Sequence, residues 1–92
     1  MQALDDASVQ SKLKSLSDWS EIQGSIQRTY QFTDFKDSIA FVIGVADLAE
    51  ARDHHPDILI RYNKVTLTLS THDAGGITEK DFDLASACDD LL

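Results

Sequence analysis

The sequence predicts an α+β fold, a two-layer sandwich in which a four-stranded antiparallel sheet is covered on one face by three helices, in the order α-β-β-α-β-β-α. Three observations predict it. Two pairs of alternating, β-rich runs are each joined by a short turn signal. One long helical stretch, free of proline, separates the pairs. Further amphipathic segments flank them at both ends, and 92 residues suffice for a single domain over 1–92 with a core of marginal size.

In chain order, Asp5 or Asp6 caps a first helix whose Leu4, Val9, Leu13 and Leu16 fall roughly on one face, ending by Asp18. Trp19 to Gln23 is a short strand, Gly24-Ser25 the turn, and Ile26 to Phe32 the returning strand, with Arg28 an exception among Ile26, Tyr30 and Phe32 on the apolar side. Thr33 or Asp34 caps the long helix, Phe35 to about Arg52. Its stripe of Phe35, Ile39, Val42, Ile43, Ala46 and Ala49 is expected to press on the sheet. A second stripe, Phe41, Val45 and Leu48, suggests either a subunit contact or burial under the first helix. His54-His55-Pro56 ends the helix, because the residue before proline avoids the α region.

The second hairpin runs from Asp57 to Ser70 around Asn63, which tolerates the left-handed backbone of a tight turn. Ile58, Ile60 and Tyr62 alternate on one strand and Val65, Leu67 and Leu69 on the other, leaving Thr66, Thr68 and Ser70 on the opposite face. Ala74-Gly75-Gly76 is a loop. Thr78 with Asp81 three residues on resembles a capping box that opens a last helix carrying Phe82, Leu84, Ala85, Cys88 and Leu91.

Sixteen acidic against eight basic residues give a net charge of −8, which argues against direct binding to nucleic acid or an anionic membrane. A single cysteine, Cys88, excludes an internal disulfide and points to a reducing compartment. With neither a signal-like start nor a membrane-length apolar run, the expected location is cytoplasmic.

All three histidines lie between Glu50 and Asp81. A hairpin brings its ends together, so His55, entering the first strand, and His72, leaving the second, reach the same open end of one ribbon. Imidazoles titrate near pH ~6.5, and a set of them at one site can give and take protons at neutral pH. Adjacent residues of an extended backbone point opposite ways, so His54 and His55 have different tasks. Glu50, in the last turn of the long helix, opposes the helix dipole and could be kept to orient a histidine, or be a solvated acid. Asp81 could cap its helix or serve the histidines. Ser70-Thr71-His72 ends a strand with hydroxyls and backbone groups suited to a flat heterocycle. Three imidazoles beside a carboxylate could also hold zinc, but compact spacings such as His-Glu-x-x-His are absent.

Glu50, three residues, His54-His55-Pro56, five residues, Tyr62, nine residues, His72, eight residues and Asp81 form a pattern that resembles the pterin-4a-carbinolamine dehydratases. Tyr62-Asn63-Lys64-Val65, Leu69-Ser70-Thr71-His72 and Asp83-Leu84-Ala85 also resemble family sequence, and the likeness covers most of the chain. The resemblance implies dehydration of 4a-hydroxytetrahydropterin to quinonoid dihydropterin, in the recycling of tetrahydrobiopterin, with no metal or organic cofactor. By position it implies that His54 and His72 are the acid/base residues and His55 a binding and orienting one. Asp53-His54-His55 and Ser70-Thr71-His72 would contact the pterin, with Glu50 and Asp81 supporting. Many relatives carry an aromatic residue where this chain has Ile58. The resemblance further implies a homo-oligomer, a dimer or a tetramer. Animal members also act as dimerisation cofactors of a homeodomain transcription factor, a role that would add a protein partner and a nuclear location. The alternative function is a non-catalytic pterin- or protein-binding module of that kind.

Overall fold

The computed structural model describes residues 2–92. Helix α1 (Asp6–Leu13) is followed by strands β1 (Ser20–Ile22) and β2 (Ser25–Gln31), the long helix α2 (Phe35–Arg52), strands β3 (Asp57–Arg61) and β4 (Lys64–Leu69), a single 3-10 turn (His72–Ala74) and helix α3 (Glu79–Asp89). The strands form one antiparallel sheet in the order β1-β2-β4-β3, so the second strand of each hairpin lies at the centre.

Register sorts the strand residues onto two faces. Tyr30 lies opposite Val65 and Ile26 opposite Leu69, and these side chains, with Leu67, are buried. Val9 of α1, Phe41, Val45 and Ala49 of α2, and Phe82, Leu84, Ala85 and Cys88 of α3 complete the same cluster. All three helices therefore cover one face, as the alternation predicts. The other face carries Thr29 and Thr66, whose hydroxyls hydrogen-bond each other, and Gln27, which donates to Thr68.

The helix ends are capped as short polar side chains at these positions require. Asp5 accepts from the Ser8 backbone N–H, Asp34 from that of Asp37, and Thr78 with Asp81 forms a reciprocal capping box at α3. The Ser8 hydrogen bonds hold the Asp5 carboxyl below the usual range.

Three local expectations are corrected. The first turn is Gln23-Gly24, both at positive φ, rather than Gly24-Ser25, so β1 is limited to Ser20–Ile22. The mirror-image turn suits the strands' twist. In the second hairpin Tyr62, not Asn63, takes the left-handed conformation, at φ 53°. Asn63 instead donates from Nδ2 to the Phe32 carbonyl and accepts from the Phe32 N–H, tying the hairpin to the end of β2. The first helix closes at Leu13, within the expected limit of Asp18, and turns carry the chain on to Trp19.

The faces of α2 are exchanged in part. Phe41, Val45 and Ala49 are buried with Ser38, whereas Phe35 and Ile43 are 48% and 59% exposed. The narrower stripe packs inward through Phe41 and Val45, and of the broader one only Ala49 is buried, with Val42 partly so.

Arg28 is explained by a residue at the far end of the chain. Its Nη1 donates to Asp89 Oδ1 at 2.8 Å and its guanidinium lies over the Tyr30 ring. Asp89 also accepts from Trp19 Nε1 at 3.1 Å and from the Tyr30 hydroxyl at 2.5 Å. Burial first, and then the Asp89 carboxylate, push the Tyr30 hydroxyl well above its ordinary range. Burial likewise pushes the Cys88 thiol up to about 11, which makes it a core residue and not a nucleophile.

Candidate active site

The site lies where α2 hands over to β3. The helix ends at Asp53, whose left-handed backbone (φ 49°) forms the C-cap. That reversal returns the His54 N–H to the Ala49 carbonyl at 3.1 Å, and Pro56 then starts the extended run into β3. The two histidines leave this corner in different directions.

His54 turns inward, with only 11% of its side chain exposed, and its Nε2 lies 2.6 Å from Oδ1 of Asp81. Asp81 is fully buried. Its second oxygen accepts from the Thr78 backbone N–H and the Thr71 hydroxyl, both at 2.9 Å, and Thr71 Oγ1 lies 2.7 Å from Thr78 Oγ1. One carboxylate thus caps α3 through one oxygen and holds His54 through the other. Opposite an ionised carboxylate, which only accepts, Nε2 of His54 is the donor of this pair.

His55 turns outward, and its Nε2 meets Oε2 of Glu50 at 2.5 Å, with both side chains more than half exposed. Glu50 is therefore hydrogen-bonded to a histidine. His55 shares a cavity of about 270 Å³ with Ser25, Asp57, Thr68, Ser70 and His72, on the polar face of the sheet at its end. His54 opens on a separate recess of about 180 Å³ beside Arg52, Lys80 and Asp83. The structure thus joins His55, Ser70 and His72 in one cavity and sets His54 behind them, linked to the same strand end through Asp81 and Thr71. Larger recesses elsewhere, such as the one between Phe32, Phe41 and Leu92, hold no histidine.

Thr71 departs from the expectation of free polar groups at this strand end. It is buried, its backbone pairs with Gly76, and its hydroxyl is engaged by Asp81 and Thr78. Asp53 is exposed and lines neither recess. Sequence reasoning missed Ser25, Asp57 and Thr68 as cavity residues. The signal was the strand period of two, which puts Asp57 on the face of His55 and Thr68 on that of Ser70. Among the described residues no three His, Cys, Asp or Glu side chains gather as a metal ion would need.

Fold and site together define a small α+β domain with two histidine–carboxylate pairs at one end of its sheet, a class equipped for proton transfer. The family model for pterin 4 alpha carbinolamine dehydratase matches residues 2–91. The chain belongs to the pterin-4a-carbinolamine dehydratase family. Relatives that carry the provisional name pterin-4-alpha-carbinolamine dehydratase include one from Roseiflexus sp. (strain RS-1), 52% identical over 97% of this chain and 96% of that protein. Another, from Chloroflexus aurantiacus (strain ATCC 29366 / DSM 635 / J-10-fl), is 52% identical over 100% and 99%. A crystal structure of a transcriptional coactivator/pterin dehydratase from Brucella melitensis matches with a TM-score of 0.94 and 32% identity over 98% of both chains. A pterin dehydratase-like protein identified as a RuBisCO assembly factor in the alpha-carboxysome shares the fold, with a TM-score of 0.65 and 23% identity over 79% of this chain and 84% of that one. No helix among the described residues is long and apolar enough to cross a membrane.

Proposed function

We propose that this chain is a hydro-lyase that dehydrates 4a-hydroxytetrahydropterin to quinonoid dihydropterin, serving the recycling of a tetrahydropterin cofactor. The observation that carries the reading is the His54–Asp81 pair, with its fully buried carboxylate, at the strand end where His55 and His72 share a cavity. In the reaction a base takes the proton from N5, the electron pair forms the N5–C4a double bond, the C4a–O bond breaks, and an acid protonates the departing hydroxyl to give water. His54 and His72 are the acid/base pair. Asp81 fixes the tautomer of His54 and stabilises its imidazolium, while His55, braced by Glu50, holds the substrate. Asp53 and Ser70 border the bound ring, and Thr71 acts through Asp81. The outward face of α2, with Phe35 and Ile43, is the contact through which copies of the chain associate.

The test is the rate of dehydration of chemically generated 4a-hydroxytetrahydropterin, with and without chelator. The wild type accelerates it in both conditions, and His54→Ala and His72→Ala lose about 10²-fold or more with the fold intact. His55→Ala raises KM. Folded His54→Ala and His72→Ala variants with full turnover would end the proposal. Pterin binding without acceleration by the wild type would instead identify a binding module.

A further inference from the structure

The polar face of the sheet presents a carboxylate and a hydroxyl side by side at the floor of the His55–His72 cavity. Asp57 and Thr68 are directly opposed in the β3–β4 register, and both line the cavity. Asp57 follows His55 by two residues, and so leaves the strand on the same face. Its carboxylate has no hydrogen bond or ion pair with any described residue, whereas Glu50 and Asp81 are each committed to a histidine. Thr68 is fixed in a particular sense. Gln27 Nε2 donates to Thr68 Oγ1 at 3.0 Å, which occupies the hydroxyl as an acceptor and leaves its own proton to be given to a ligand.

We infer that Asp57 and Thr68 read the pyrimidine edge of the substrate. The deduction rests on the dehydratase reading above, because it concerns the ring that a pterin would bring to this cavity. A 2-amino-4-oxopyrimidine shows a fixed series along one edge, an acceptor at O4, a donor at N3–H and a donor at the 2-amino group. The strand pair offers the complement, a hydroxyl proton from Thr68 and two acceptor oxygens from Asp57, in a cavity near the lower end of small-molecule sites. A carboxylate engaged by two parallel donors selects a 2-amino ring over a 2-oxo ring, where one donor becomes an acceptor that the negative charge repels. Asp57 is thus a specificity-determining residue. It contacts the part of the ring remote from C4a, so its loss falls on binding more than on the chemical step.

The experiment compares the equilibrium binding of a 6-substituted 7,8-dihydropterin with that of the corresponding 2-oxo compound, a lumazine, to wild type, Asp57→Asn and Thr68→Val, alongside the dehydration kinetics. Both positions lie on the open face of the sheet, outside the core, and circular dichroism verifies the fold. The wild type prefers the pterin. Asp57→Asn weakens pterin binding about tenfold to a hundredfold and abolishes the preference, with the loss in KM rather than kcat. Thr68→Val weakens both ligands alike, since both carry the 4-oxo group. A folded Asp57→Asn protein that keeps the affinity and preference of a dehydrating wild type would overturn this inference and leave the dehydratase reading intact. A wild type that neither binds the dihydropterin nor accelerates dehydration would overturn both.

Discussion

Replacing Asp81 with asparagine separates the two tasks of that side chain. The carboxylate accepts three hydrogen bonds, at 2.6 Å from His54 and at 2.9 Å from both Thr71 and the Thr78 backbone N–H. An amide has one acceptor oxygen. Two of the three donors converge on Oδ2, so the amide oxygen stays there and its NH₂ group turns to His54. His54 must then accept at Nε2 and carry its proton on Nδ1, the reverse of the wild-type tautomer. The cap survives in weakened form, and the loss of charge from these bonds costs about 1–3 kcal/mol of folding stability. A domain of this length has roughly 5–14 kcal/mol to lose, so the variant remains folded. On the acid/base role proposed for His54, turnover is affected more, because a mis-set imidazole forfeits most of the ~10²–10⁴-fold that general acid–base catalysis contributes. Thr78→Ala is the control. It removes the hydroxyl beside Thr71 and the contact to the Lys80 N–H but keeps the backbone donor to Asp81, for about 1 kcal/mol in stability and only a few-fold in rate. Urea unfolding and the dehydration assay are run on both. Asp81→Asn turning over within a few-fold of wild type, or Thr78→Ala losing as much rate as Asp81→Asn, would refute the assignment of His54's tautomer to Asp81.

Other expectations concern the core. With its thiol pushed up to about 11, Cys88 resists iodoacetamide at pH 8 in the native chain and reacts readily in urea; native reaction at the rate of a free thiol would contradict its burial. Because folding favours the neutral forms of Cys88 and Tyr30, their contribution is complete below about pH 9 and is lost as pH rises. For Cys88 a change from 9.0 to about 11 corresponds to about 3 kcal/mol across that range, and unfolding free energies measured between pH 8 and 11 decline accordingly, less steeply in Cys88→Ala. Asp89→Ala leaves the Trp19 and Tyr30 donors unpartnered and Arg28 with only its longer, more exposed ion pair to Asp18 at 3.6 Å, and lowers stability by about 2–4 kcal/mol, against about 1 kcal/mol for Tyr30→Phe. Equal urea midpoints for those two variants would dismiss Asp89 as the hub. Gly44→Ala brings a methyl to 3.1 Å from the tip of Leu91, an exposed and flexible side chain near the C-terminus that can move aside. Helix propensity then prevails, and the melting temperature rises by a few degrees; a fall would mean that Leu91 is held.

Much of this architecture is legible in local patterns. Element order, the capping box at Thr78 and the meeting of His55 and His72 at one hairpin end all follow from spacings of a few residues. What stayed hidden depends on partners distant in the chain. Arg28 looks misplaced until Asp89, remote in sequence, supplies its counterion. The two apolar stripes of α2 have similar periodicity, and what decides between them is the packing of Phe41 and Val45 among residues of the sheet and the other helices, which are distant in the chain. Tyr62 takes the left-handed turn position because Asn63 is drawn away by Phe32, a competition invisible in turn preferences alone. At the site, the separation of His54 from His55 follows from strand alternation. The depth of Asp81 does not, because an acid in the first turn of a helix is ordinarily solvated.

The double duty of Asp81 bears on how such a domain can change over generations. One oxygen starts the closing helix and the other serves His54, so drift at this position is penalised even where no substrate is ever turned over. His72 and Asp57 carry no comparable obligation to the fold. A descendant released from selection for catalysis would therefore shed the exposed cavity residues first and retain the buried aspartate long afterwards, like a keystone left in a disused doorway. In comparing lineages of this architecture, an aspartate at this depth speaks for the integrity of the scaffold, and residues on the polar face of the sheet speak for whether the chemistry is still practised.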